Sequence, residues 1–244
     1  MSDCSTPEGQ TIELHCTLSG RKVNHLHIPA GPVRPRTMLP VFQVLTDVLV
    51  DQGIQTVADK GEQVSCRKGC AACCRQLIPL TPIEARHLHE LVGRLPEPRR
   101  SEVRARFMEA RRRLQEAGLL PLLEDQDQIP IEEVDALGAR YMALGLPCPF
   151  LKEEACSIYP ERPLACREYL VTSPAEHCAR LAEGQIRGVP LSARMSQATA
   201  RLDQEQPPRR MPFVPLVLAL DWAEAHPDEE CPPRLGIEIL QEVF

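Results

Sequence analysis

The stretch CRKGCAACC, residues 66–74, carries four thiols in nine positions: Cys66, Cys70, Cys73 and Cys74. A second segment, CPFLKEEACSIYPERPLACR at 148–167, adds Cys148, Cys156 and Cys166, and Cys178 follows in SPAEHC. Cysteines in such clusters serve as metal ligands, disulfide halves or redox nucleophiles, and spacing and context discriminate among these. Cys70-x2-Cys73 is the spacing that a tight turn folds round one metal ion. The adjacent pair Cys73–Cys74 reads differently. Neighbouring side chains diverge by about 100° on a helix and to opposite faces on a strand. The pair is therefore expected to reach two metal ions, or two irons of one cluster, rather than to grip a single zinc. Eight cysteines from two distant segments suffice for two tetrahedral sites, or for one cluster and a second site.

Charge points the same way. Four thiolates on Zn²⁺ leave a net charge of about −2, which is costly to bury alone. Arg67, Lys68, Arg75, Arg162 and Arg167 lie within a few residues of the cysteines, as donors to sulfur or as ordinary surface cations. A helix beginning at Pro174 would place Cys178 near its N-terminal end, where backbone N–H groups favour a thiolate. A disulfide framework fits poorly, because a vicinal disulfide is strained and the N-terminus MSDCSTPEGQ lacks the pattern of a secretory signal. Cys4, Cys16 and Cys231 have no partner at ligand spacing and read as small hydrophobic residues.

The elements that must position these thiols are mainly helical. The chain has 244 residues, enough for a hydrophobic core that needs no cross-links. Residues 11–28 alternate around SGRK as a β hairpin. Val41, Leu45, Val48 and Leu49 recur at helical spacing over 38–52. TPIEARHLHELVGRL opens with a capping box, Thr81 and Glu84 bracketing Pro82. Ser101 is placed to cap a helix with Val103, Phe107, Ala110 and Leu114 on its inner stripe, closed by Gly118. Further helices are expected over 131–144, ended by Gly145, and near 214–225 and 235–244. The proline-rich segment 147–171 has no clean period and should be irregular. The expected fold is mainly α with a small N-terminal β hairpin, its irregular Pro/Cys-rich loops closing over a metal centre. It divides into an N-terminal hairpin extension (1–36), a helical cysteine-cluster domain (37–206) and a C-terminal helical segment packed on the same core (207–244).

Composition narrows the partners. The net charge of −6 and an aromatic content of 4% give neither the basic field nor the stacking surface expected of a nucleic-acid binder. The arginines of RRSEVRARFMEARRRL alternate with Glu102 and Glu109 and read as a salt-bridged helix face. The longest apolar run, FVPLVLAL at 213–220, falls short of the roughly 20 residues a membrane span needs. A cytoplasmic protein is expected, with no membrane or nucleic-acid partner and an unidentified protein or small-molecule partner. His25 and His27, two residues apart, read as surface or packing residues. His87 and His89 stand about 200° apart on a helix and cannot share a metal.

Taken together, CRKGCAACC, PCPFL and CSIYPERPLACREYL resemble the YkgJ-type cysteine-cluster proteins, described as a zinc- or iron-chelating domain. A similar cluster occurs in the flagellin lysine N-methylases. The resemblance covers about residues 60–180. It implies that Cys66, Cys70, Cys73, Cys74, Cys148, Cys156 and Cys166 bind an iron–sulfur cluster or Zn²⁺, in one or two sites, with Cys178 as an additional ligand. It does not carry methylase activity with it. The vicinal pair favours iron–sulfur over zinc. Cys66-x3-Cys70-x2-Cys73 is also the spacing of radical S-adenosylmethionine enzymes. Ala72 stands where those have an aromatic residue, Cys74 would be unexplained, and no strand–helix alternation follows. A thiol oxidoreductase would set Cys70-x2-Cys73 beside a βαβ unit, which is not evident. Tyr159 and Tyr169 flank the cluster as packing or supporting groups. Three readings stand: a metal-binding protein, a metal-dependent modifying enzyme, and a metal chaperone. No paired acids, activated nucleophile or cofactor loop identifies catalytic residues, so whether the chain is an enzyme stays open.

Overall fold

Thr81 and Glu84 meet at the start of a helix, as their spacing predicts. The Thr81 N–H and Oγ1 donate to Glu84 Oε2 at 2.9 and 2.8 Å. What the spacing does not reveal is the use of the other oxygen. Glu84 Oε1 accepts from the Leu164 N–H at 2.6 Å, eighty residues away. One buried carboxyl thus joins the helix after the first cysteine segment to the short helix that carries Cys166.

The computed structural model describes residues 10–18, 20–125, 133–179, 186–202, 213–227 and 232–244. Cys4, Cys231, Ser19 of the SGRK turn expected from sequence and the first residues of the helix expected over 131–144 lie outside them. Strands β1 (Thr11–Leu18) and β2 (Arg21–Pro29) pair antiparallel as the expected hairpin, with a register shift between Leu14 and Cys16. After the short strand β3 (Pro32–Val33), α1 (Leu39–Asp59) runs longer than its apolar pattern predicts. Then follow β4 (Pro79–Leu80), α2 (Pro82–Arg94), α3 (Arg99–Glu116), α4 (Leu120–Glu124) and α5 (Val134–Ala143). Strands β5 (Leu151–Lys152) and β6 (Ala155–Cys156) precede α6 (Leu164–Glu168) and α7 (Met195–Ala198). The order closes with β7 (Val214–Pro215), α8 (Ala219–Ala225), β8 (Arg234–Leu235) and α9 (Gly236–Val243). The mainly α architecture with an N-terminal hairpin is as expected.

Two local expectations need correction. Helix α3 begins two residues before Ser101, so Ser101 lies in its first turn. There its Oγ donates to Glu97 at 2.8 Å instead of capping. The segment after Pro174 is a 3-10 stretch, Ala175–Ala179, not an α-helix.

Among the described residues the interior consists of three apolar clusters. Leu26 and Ile28 of the hairpin pack with Phe42, Leu45 and Leu49 of α1 and with Ile239 and Leu240 of α9. Leu88 and Val92 of α2 meet Phe107 of α3, Phe150, and Leu220 of α8, with Cys148 and Cys156 against their edge. Ala110 and Leu114 of α3 cover Leu137 and Tyr141 of α5. The outer face of α3 is laced by ion pairs, including Arg112–Glu109 at 2.7 Å and Arg111–Glu124 at 2.7 Å.

Helix α1 also sets the far wall of the cysteine region. A Cβ on Gly53 would stand 2.8 Å from Pro190 O and 2.9 Å from Val189 Cγ1, so residues 189–190 can pass this close only to a glycine. The Val189 N–H in turn donates to Leu170 O at 2.8 Å, and residues 170–172 hold the first cysteine.

Replacing Glu84 leaves two buried N–H groups without an acceptor. Glu84→Ala should lower unfolding stability by about 3 kcal/mol, read as a lower denaturation midpoint in urea. Burial raises the Glu84 pKa above its usual 4.5. A raised folded value means that its contribution is complete below 4.5 and declines as pH rises through the folded pKa. Glu84→Gln should remove that part of the pH dependence, measured by repeating the urea titration at acid and neutral pH.

Candidate metal centre

The first cysteine segment is a run of tight turns between α1 and β4. The Cys70 N–H bonds Arg67 O at 2.9 Å, and Gly69 at φ +87° supplies the left-handed residue that this turn needs. The Cys74 N–H bonds Ala71 O at 2.9 Å. This second turn overrides the divergence expected of adjacent side chains. The Cys73 and Cys74 thiols lie within hydrogen-bond reach of each other, and that bond, followed by burial, drives the Cys73 pKa up.

Backbone bonds fasten this segment to the second one at both ends. The Ser65 N–H donates to Val171 O at 2.8 Å, and the Val171 N–H donates to Cys66 Sγ at 3.4 Å. At the other end the Cys148 N–H donates to Cys74 O at 2.7 Å. The turn between β5 and β6 holds Glu153 and Glu154 at φ +51° and +54°, and pairs Cys156 with Leu151. Cys166 lies within α6, two residues after the Glu84-bound Leu164. Cys178 is fixed through Gln76, whose Nε2 donates to Cys178 O at 2.7 Å and to the Tyr169 hydroxyl at 3.1 Å.

The electrostatics describe one neighbourhood. Cys73 acts on Cys66, Cys148, Cys156, Cys166 and Cys178, and is itself acted on by Cys74. Cys70 acts on Cys66 and Cys178. Desolvation is the first cause of the upward shift at Cys66, Cys156, Cys166 and Cys178, and it pushes Cys148 to about 12. The thiolate expected at Cys178 from a helix N-terminus is therefore not favoured: burial outweighs the Tyr169 hydroxyl, its main lowering influence. Cys16 is exposed on the hairpin and is not among these residues.

All eight donors are sulfur, a set suited to zinc or iron–sulfur and unsuited to calcium or magnesium. Among the described residues, no three His, Cys, Asp or Glu side chains already stand as a coordination shell. The thiols are neighbours that must re-aim to chelate.

The nearby cations separate into distinct roles. Arg67 and Lys68 are exposed. Arg75 forms a fork with Glu154 at 2.7 and 3.1 Å. Arg167 binds Asp47 at 3.1 Å and the Arg162 carbonyl at 3.0 Å. Arg162 lies over the Tyr159 ring at 4.2 Å, and its charge lowers Cys66, Cys73 and Cys156 against the effect of burial. The Nδ1 of His177, beside Cys178, is buried without a partner among the described residues. His177 is a polar group that spacing alone did not single out. His87 and His89 pair separately, with Glu161 at 3.1 Å and Glu224 at 3.4 Å.

A cavity of about 530 Å³ opens beside this region, with Cys73, Cys166, Gln76, Glu168 and Tyr169 in its wall and Arg194 among its lining residues. No helix among the described residues is long and apolar enough to cross a membrane.

A neighbourhood of eight partly covered or buried thiols on a helical scaffold has the chemistry of a cysteine-rich metal-chelating domain. Residues 65–183 match the family model titled "CxxCxxCC: Putative zinc- or iron-chelating domain", in agreement with the cysteine-cluster family that the motifs resemble. All eight cysteines fall inside the match. No curated protein and no solved structure matches the chain.

The metal-free protein should show a graded thiol reactivity. A pKa of about 12 against the usual 9.0 leaves Cys148 with about a thousandfold less thiolate than an ordinary cysteine. With limiting iodoacetamide under reducing conditions, exposed Cys16 should be alkylated first among the described cysteines and Cys148 and Cys166 last, as read by peptide mass spectrometry.

Proposed function

We propose that the chain is a metal-binding protein with one polynuclear cysteine centre, iron–sulfur in preference to zinc, held by Cys66, Cys70, Cys73, Cys74, Cys148, Cys156, Cys166 and Cys178. The observation that carries this reading is the position of Cys73, the shared electrostatic neighbour of cysteines from both segments. An iron–sulfur centre would supply one-electron chemistry; zinc would supply a structural clamp or a Lewis acid. The protein's part is to hold the sulfurs in a partly dry site, with their thiols protonated until metal arrives.

A second reading, a metal-dependent modifying enzyme, is favoured by the cavity. Its volume of about 530 Å³ falls within the range of about 300–1,000 Å³ typical of ligand sites, and Cys73 and Cys166 form part of its wall. The polar groups there, Gln76, Tyr169 and Arg194, are suited to orienting a small molecule or side chain next to the sulfur centre. A metal chaperone has less support, since Cys178 is buried and the other seven thiols are partly covered.

Anaerobic purification followed by metal analysis and a visible spectrum tests the proposal. Brown protein with sulfur-to-iron charge-transfer absorption is expected; colourless protein with stoichiometric zinc would replace iron–sulfur by zinc, and folded protein without metal would overturn the centre. Cys73→Ser should abolish metal binding altogether, whereas loss of only half the metal would favour two separate sites. Binding must also displace protons from thiols whose pKa values burial has raised. Affinity should therefore fall as pH is lowered, by about tenfold per pH unit for each proton displaced, as measured by chelator competition.

A further inference from the structure

Four cationic side chains near the cysteines can be accounted for without a metal. Arg67 and Lys68 face solvent, Arg75 is committed to Glu154, and Arg167 to Asp47 and a backbone carbonyl. Arg162 differs. It lies between Cys156 and Cys166 in the chain, and its Nε is buried with no hydrogen-bond partner among the described residues. Its guanidinium is fixed over the ring of Tyr159, with 4.2 Å between the guanidinium carbon and the ring centroid. A buried donor left without an acceptor costs about 1–3 kcal/mol, so a retained one points to a partner that the described residues do not provide. The charge also reaches cysteines of both segments, Cys66 and Cys73 from the first and Cys156 from the second.

We propose that Arg162 is the positioning cation of the metal centre: its buried Nε–H donates to a metal-bound sulfur, and its guanidinium, held on Tyr159, offsets the thiolate charge. This rests on the metal-centre reading above and adds a residue outside the ligand set. Arginine suits the role because its charge is permanent and its planar fork both stacks on a ring and donates in plane. A hydrogen bond to a ligating sulfur lowers the energy of its lone pairs. It therefore moves sulfur-to-metal charge transfer to shorter wavelength and strengthens retention of the metal.

The test uses the full chain with the metal it carries on anaerobic purification. Arg162→Met keeps much of the side-chain length without charge or donor, and Arg162→Lys keeps the charge without the planar N–H. Arg162→Met should lose metal to a competing chelator at about 10–100-fold lower chelator concentration than wild type, with its charge-transfer band moved to longer wavelength. Arg162→Lys should fall between the two in both measurements. A purely structural arginine would lower the melting temperature of the metal-free protein and leave the band where it is. An Arg162→Met protein with the wild-type band and wild-type retention overturns the proposal. If that variant does not fold, Arg162→Lys decides: an unchanged band and unchanged retention overturn it equally. A wild-type protein that carries no metal fails the metal-centre reading itself, a distinct result that removes the basis for this one as well.

Discussion

Glu84 accepts hydrogen bonds from the Thr81 N–H, the Thr81 hydroxyl and the Leu164 N–H, and through these bonds the two halves of the cysteine region share one anchor. On one side lies the start of α2, which follows the first cysteine segment by a few residues. On the other lies the start of α6, which carries Cys166. The carboxyl is 1% exposed, so water does not compete for these donors, and each bond is worth more than at a surface. Hydrophobic packing alone would let helices slide by fractions of a turn. A three-pronged polar contact in the interior admits one arrangement, and the position of Cys166 relative to the first segment follows from it.

How much of this was legible in the sequence depends on the range over which each signal acts. The Thr81–Glu84 box is local, and its spacing announced it. The inner stripe of α3, Val103, Phe107, Ala110 and Leu114, followed from helical periodicity and is buried as expected. The second use of Glu84, by contrast, depends on a partner eighty residues away, and no local pattern encodes that. The cysteine clusters identified the donor chemistry but not its arrangement. Alternation of side chains predicted that Cys73 and Cys74 diverge, and it failed because the region is neither helix nor strand: the bond from Cys74 N–H to Ala71 O closes a turn instead. Cys178 shows a related limit. The sequence suggested an α-helix beginning at Pro174, yet the segment is 3-10 and the thiol is governed by burial.

Arginines show what packing adds to composition. Five basic residues flank the cysteines in the chain, and by spacing they are equivalent. In the fold they divide into exposed charges, ion-paired struts and one stacked cation. The division follows from which carboxylates the scaffold brings near: Glu154 from the β5–β6 turn reaches Arg75, Asp47 of α1 reaches Arg167, and Arg162 is left with the face of Tyr159.

The bond from Cys148 N–H to Cys74 O, with those from Ser65 to Val171 and from Val171 to Cys66 Sγ, makes peptide groups the fasteners of the two cysteine segments. Chelating domains that rely on metal to bring distant ligands together are folded only when loaded. Here the loop closure is already secured by the polypeptide, and the entropy of assembling the ligands is spent before any ion binds. Loading and unloading then become local adjustments of thiol side chains within a standing frame.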